Sequence, residues 1–219
     1  MENFKLIRSL ISVLIVGLVA SGCKPKTQDN CGFVQNAYGE RIVWKTKDLI
    51  PLYISSNIPE KLRPAIYRAA KTWENHIGRS IFQIIESSGA PGVEPKKDGI
   101  NGIYFLNQWE ANKKSEQGRT SVYWAADQIM EADIRINAED FSFYDTDKND
   151  VVYSRNTVHA YSGSEAYSFE ALILHELGHF LGLKHADAHG SVMVTHLRAF
   201  EDRTEVSADD SQSIQCAYN

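Results

Sequence analysis

The segment 175–185 constrains this chain more than any other, because its histidines recur at helical spacing. It reads His-Glu-Leu-Gly-His-Phe-Leu-Gly-Leu-Lys-His. On an α-helix, His175 and His179 would project side by side, one turn apart. Apolar residues around them would give that helix one buried face: Phe169, Leu172, Ile173, Leu177 and Phe180. We therefore predict a buried helix that presents two imidazoles to one ligand.

The residues after the second histidine predict a third ligand. Gly182 can adopt the left-handed conformation in which a chain leaves a helix. The chain can then reverse and bring His185 toward the first two imidazoles. Three neutral imidazoles can bind one Zn²⁺ and leave its fourth position to water, which is the arrangement of a catalytic site. Glu176, beside them, is the expected general base and acid.

At these residues the chain resembles the metzincin metallopeptidases, whose signature is His-Glu-x-x-His-x-x-Gly-x-x-His followed by a methionine-containing turn. Ser191-Val192-Met193 fits that turn and looks most like the matrixin branch. Thr195 stands where other branches carry a tyrosine ligand. The resemblance implies zinc ligands at His175, His179 and His185, catalysis by Glu176, and a supporting turn at Met193.

The resemblance also implies a function. We expect a zinc-dependent endopeptidase that cleaves a peptide or protein substrate, bound extended along an edge strand near residues 121–126. Tyr123 and Trp124 would shape its subsites. Two alternatives stay open at this point. One is a membrane-tethered protein that binds zinc and cleaves nothing, and the other is a zinc amidohydrolase that acts on cell-wall peptides.

The N-terminus predicts export and a lipid anchor. Lys5 and Arg8 precede an apolar run at 10–20 that is shorter than the roughly 20 residues of a membrane-spanning helix. Ala-Ser-Gly-Cys follows and resembles the lipobox of bacterial lipoproteins, in which Cys23 is lipidated. We expect a protein of the bacterial cell envelope, held to the membrane by lipid alone. Lys24 favours the outer membrane or cell surface.

Two further cysteines remain, Cys31 and Cys216. Export permits disulfides, and an even remainder favours a Cys31–Cys216 bond. Reduced, buried thiols are an alternative. In a second alternative, the Cys31 thiolate binds the zinc and blocks it, as the cysteine of matrixin propeptides does. The disulfide is the favoured interpretation.

The remaining pattern predicts an α+β fold of the zincin type. Apolar spacing predicts a helix at 59–77, and short apolar runs predict strands at 49–55, 81–85, 102–106, 121–126 and 131–137. We expect a twisted mixed sheet of about five strands, this early helix, the zinc helix and a C-terminal helix that starts at 207–210. The predicted divisions are a signal peptide at 1–22, a lipidated N-terminus and tether at 23–43, and a catalytic domain at 44–219.

Composition and the remaining motifs add smaller constraints. The 219 residues carry 23 basic and 28 acidic side chains, a net charge of -5, which argues against a nucleic-acid binder. We expect a monomer. The acidic run 145–150 makes Ca²⁺ conceivable, but residues 150 and 156 lack the Gly and Glu of an EF-hand, so a solvated loop is favoured. No spacing demands a second metal site, and we expect surface or capping roles for His159, Asp187, His189 and His196.

Overall fold

The computed structural model describes residues 27–86, 94–146, 151–152 and 165–218. Five strands form the main sheet: β1 (Ile50–Ile54), β2 (Phe82–Glu86), β3 (Gly102–Leu106), β4 (Gly118–Ala125) and β5 (Gln128–Asn137). A smaller sheet contains β6 (Phe143–Tyr144), β7 (Val151–Val152) and β8 (Tyr167–Ser168). The described residues also form three α-helices: α1 (Arg63–Ile77), α2 (Phe169–Phe180) and α3 (Ala208–Tyr218).

The main sheet is mixed, with the strand order β2-β1-β3-β5-β4. All neighbours pair in parallel except β4, which runs antiparallel to β5 at one edge. Buried positions dominate β3 and β5, as expected for strands covered on both faces. The α+β fold predicted from the sequence, with its sheet of five strands and three helices, is confirmed.

The predicted elements differ from the observed ones mainly at their ends. The strand at 102–106 has the predicted bounds. The first helix begins at Arg63, after a short 3-10 turn over Glu60–Leu62, so the segment 59–62 is not α-helical. Strands β4 and β5 each start three residues earlier than predicted. Gly118 to Thr120 pair with Ile136 to Ile134 and extend β4, whereas Gln128 and Ile129 pair with Ala125 and Trp124 and extend β5.

Helix α2 packs against α1 beneath the sheet's edge. Trp73 on α1 is fully buried and donates its indole N–H to the Leu174 carbonyl on α2, at 2.8 Å. The Ser168 hydroxyl caps α2 by accepting the Ala171 N–H at 3.3 Å. Both helices thereby fix the position and the rotation of the segment that carries His175 and His179.

The segment 31–43, which the predicted domain division assigns to a tether, packs against the body. Phe33 and Ile42 are each 1 % exposed, and Cys31 is joined to Cys216 by a disulfide. Tertiary packing therefore extends to residues that precede the predicted domain boundary at 43/44. The predicted signal peptide and Cys23 lie outside the described residues, and within them no helix has the length and apolar character needed to cross a bilayer.

Candidate metal centre and cleft

Helix α2 presents two imidazoles to one point. His175 and His179 lie one turn apart, and their Nε2 atoms are 3.1 Å from each other. His185 approaches from beyond the helix, because Gly182 has φ 101° and turns the chain back. A side chain at 182 would run into the carbonyl of Ile42. One nitrogen of each histidine lies within 4.8 Å of the other two, which is the grouping that the sequence predicts.

Backbone carbonyls set the tautomers of the helical pair. The Nδ1 of His175 lies 2.7 Å from the Val192 carbonyl, and the Nδ1 of His179 lies 2.8 Å from the Leu183 carbonyl. A carbonyl only accepts, so Nδ1 carries the proton in both rings and Nε2 offers a lone pair. Burial lowers the pKa of His175 to about 3 and that of His179 to about 4, which keeps both rings neutral.

This arrangement fits a cation. The unprotonated Nε2 atoms of His175 and His179 lie 3.1 Å apart. Their lone pairs repel each other unless a cation binds between the three imidazoles. The pKa of His185 is also lowered, first by burial, so the third ring too is a neutral donor at neutral pH. Three neutral imidazoles are a ligand set typical of catalytic zinc. The residues present therefore fit the Zn²⁺ that the sequence predicts.

Glu176 lies next to this centre and is 3 % exposed. Burial raises the pKa of its carboxyl to about 7, although the hydrogen bond from Thr120 opposes this. The Thr120 hydroxyl lies 2.6 Å from Oε2. A Cβ at Gly118 would lie 2.9 Å from Oε1, so the absence of a side chain there leaves room for the carboxylate. Strand β4 thus encloses Glu176 from across the cleft.

A tight turn at residues 191–193 supports the helix from below. Met193 is buried, and a side chain at Gly178 would collide with its sulfur atom, so the bare helix surface there admits the methionine. Asp210 on α3 holds the turn: its carboxylate accepts the Ser191 hydroxyl at 2.6 Å and the Val192 N–H at 2.8 Å. Since Val192 also orients His175, the turn connects α3 to the metal centre.

The three histidines and Glu176 line a cleft of about 560 Å³. Residues of β4 form one wall: Gly118, Arg119, Thr120, Val122 and Trp124. Trp124 is 52 % exposed at the rim. Tyr123 does not line this cleft. Alternation along the strand turns it to the other face, where the Lys97 ammonium lies 5.2 Å from its ring.

Among the described residues, none of the other residues singled out from the sequence belongs to the histidine triad. Asp145 forms an ion pair with Arg68, and positions 147–150 and 159 lie outside the described residues. Asp187 and His189 are exposed, whereas His196 lines the cleft. Among the described residues, the histidine triad is the only group of three or more potential ligands close enough to share an ion. A calcium site in the run 145–150 stays a prediction, because positions 147–150 of that run lie outside the described residues.

Sequence reasoning missed several residues that shape the site. Thr120 and Gly118 contact Glu176 because β4 packs beside α2, and no local sequence pattern predicts such a contact. The Ser-x-x-Asp spacing at 207–210 is typical of a helix cap, and in the structure the Ser207 hydroxyl donates to the Asp210 carboxylate at 2.8 Å. That spacing does not predict the second role of Asp210, which is to bind the turn at 191–193.

Comparison with known protein families gives a match. A family model described as matrixin, a peptidase family, matches residues 44–219, which is most of the chain and includes the whole histidine segment and the turn at Met193. A comparison with curated proteins finds no match.

Proposed function

Because this chain belongs to the matrixin family of peptidases, we propose that it is a zinc-dependent endopeptidase that hydrolyses peptide bonds in proteins. Matrixins as a family are zinc metalloendopeptidases, and the mechanism in this chain is inferred from its own residues. One observation carries the proposal. Two bare imidazole nitrogens face each other at 3.1 Å in an open cleft, directly beside a buried carboxyl group.

The histidines would hold the metal, and Glu176 would handle the proton. Zinc bound by His175, His179 and His185 would polarise the substrate carbonyl and lower the pKa of a bound water. Glu176 accepts the proton of the attacking water and then donates it to the leaving amine. Burial supports the second role, because it raises the pKa of the Glu176 carboxyl above its usual range and so favours the protonated form that donates to the amine.

The substrate would lie along β4. In the described sheet this strand pairs only with β5, so its outer edge can accept an extended peptide as an added strand. Trp124 at the rim and Val122 further in would contact its side chains. An extended main chain beside Thr120 would bring a scissile carbonyl close to Glu176. The cleft therefore suits a segment of unfolded or looped protein.

A single substitution tests the proposal. In Glu176→Gln we expect zinc to bind stoichiometrically while kcat/KM on a peptide library falls by about 10²-fold or more. The control is Glu170→Gln, on the same helix but outside the cleft, where the carboxylate pairs with Arg68. Chelation of the wild type should abolish cleavage, and added zinc should restore it.

The other outcomes are distinct. Bound zinc without cleavage of any peptide would contradict the proposed endopeptidase activity and favour a tethered zinc-binding protein. Cleavage confined to cell-wall peptides would favour an amidohydrolase. Activity that survives in Glu176→Gln would remove this residue from the mechanism.

We further propose that the protein is exported in a bacterium and anchored at the cell envelope through Cys23. Support comes from the basic, apolar and small-residue succession at 1–23, which the described residues do not include. Cys23→Ser should abolish incorporation of labelled palmitate and release the protein from membranes. Ser21→Ala should still incorporate the label and stay bound to membranes. Recovery of the wild type in the soluble fraction would contradict the anchor.

A further inference from the structure

The residues just before His185 are paired with the N-terminal segment 31–34, which we call the N-terminal strap. Phe33 forms an isolated antiparallel bridge with Leu183. Two backbone hydrogen bonds complete it, from Val34 N–H to Gly182 O and from Lys184 N–H to Gly32 O, each at 2.9 Å. The strap thus adds a short strand to the turn that carries the third histidine.

The strap is itself fastened to the body. Cys31, at its start, is bonded to Cys216 in the last turn of α3. Phe33 is 1 % exposed, and its ring centroid lies 6.1 Å from that of Tyr218 on the same helix. Val34 reaches the cleft, where it forms part of the lining. A long-range disulfide therefore holds a segment that contacts both the metal-binding turn and the cleft.

His185 depends on this support more than the other two histidines do. His175 and His179 are held by helix α2 and by a carbonyl at each Nδ1. The His185 side chain is more exposed than those of His175 and His179, and it lies beyond the end of helix α2. Its position is set through the backbone on either side: Lys184 N–H bonds to Gly32 O at 2.9 Å, and Ala186 N–H to Met193 O at 3.0 Å.

We propose that the strap, locked by the Cys31–Cys216 disulfide, is a positioning element for His185. The inference rests on the proposed zinc site. With the strap in place, the turn is already ordered before metal binds. Without it, zinc must also order this turn, and the loss of conformational entropy subtracts from the binding free energy. Breaking the disulfide therefore lowers zinc affinity.

The test compares zinc affinity in two variants of the full mature protein. Cys31→Ser with Cys216→Ser removes the lock. Val34→Pro keeps the disulfide, removes the N–H that donates to Gly182 O and replaces one side chain of the cleft lining, at a site where the preceding residue is already extended. By competition with a chromogenic chelator, we expect the serine pair to bind zinc about tenfold more weakly or worse, and Val34→Pro to lose affinity in the same direction. The Co²⁺ ligand-field spectrum should weaken in both.

A matched control separates positioning from general stability. Ile54→Ala, buried in β1, should lower the unfolding temperature of the metal-free protein but leave zinc affinity within about twofold. All measurements are made at a temperature where the metal-free variants retain native circular dichroism. Unchanged zinc affinity in Val34→Pro or in the serine pair would overturn the proposal. A wild type that binds zinc but cleaves nothing would instead overturn the peptidase and leave the strap untouched.

Discussion

Glu176 shows how two local effects of opposite sign set the property of a single group. Burial raises the pKa of its carboxyl to about 7, and the hydrogen bond from the Thr120 hydroxyl lowers it. That bond is short, with 2.6 Å between the Thr120 hydroxyl and Oε2. Thr120 therefore acts on catalysis through Glu176, and its contribution should depend on pH.

Thr120→Val should move the acidic limb of the pH profile. Loss of the hydroxyl raises the pKa of Glu176, so less of it is carboxylate at any given pH. A net hydrogen bond of about 1 kcal/mol corresponds to roughly 0.7 pH unit. We expect kcat/KM to fall more at acidic than at alkaline pH, and Thr120→Ser to restore the profile. An equal loss at every pH would show that Thr120 contributes packing alone.

Asp133 on β5 is a second buried carboxyl, far from the mechanism. It is fully buried, one oxygen accepts the Gly102 N–H at 3.1 Å, and the other has no partner among the described residues. Burial, and to a lesser extent Glu131 and Asp98, raise its pKa to about 7. The folded state therefore holds this proton more tightly than the unfolded chain.

This predicts a pH dependence of stability. A raised folded-state pKa adds stability that is fully present below about pH 4 and is lost as the pH rises through about 7. The slope reaches at most about 1.4 kcal/mol per pH unit. In urea denaturation, Asp133→Asn should gain stability relative to wild type as the pH rises across this window. Glu176 titrates in both proteins and cancels in the difference, so a flat difference would refute the prediction.

At the scale of secondary-structure elements, helix α3 contacts the turn at 191–193 and so helps to position the metal centre. Asp210 accepts hydrogen bonds from Ser191, Val192 and Ser207, so one carboxylate joins the start of α3 to the turn at 191–193. His175 in turn bonds to that turn through Val192 O. Helix, turn and ligand therefore form one chain of contacts.

Asp210→Asn should break that chain. The amide nitrogen would face donors that the carboxylate now satisfies, so we expect a loss of about 1–3 kcal/mol in the free energy of unfolding, measured with urea. Asp209→Asn, next to it but exposed, should cost less than about 1 kcal/mol, the usual range for a charge at a helix N-terminus. Equal losses in the two variants would mean that the contact to the turn adds nothing to stability.

At the scale of the whole molecule, the metal centre joins helix α2 to the segment that follows it, which carries His185. The strap and α3 contact the same segment. A ligand that binds only the folded state stabilises it, by about 4 kcal/mol at a thousandfold excess over Kd. We expect chelation to lower the unfolding midpoint and zinc to restore it. Glu176→Gln, which keeps all three histidines, should show the same shift without self-cleavage. An unchanged midpoint would argue against zinc at the triad.

The sequence by itself determined the metal centre, because a helix places residues four apart side by side and a glycine permits the turn that brings His185. The helices and most strands followed from the same short-range periodicity. Only the tertiary structure decided what surrounds the centre: Thr120 lies 56 positions from Glu176 in the chain, and Gly32 lies still farther from Lys184. Such contacts depend on strand order, register and the pairing of distant segments, and these result from packing of the whole chain.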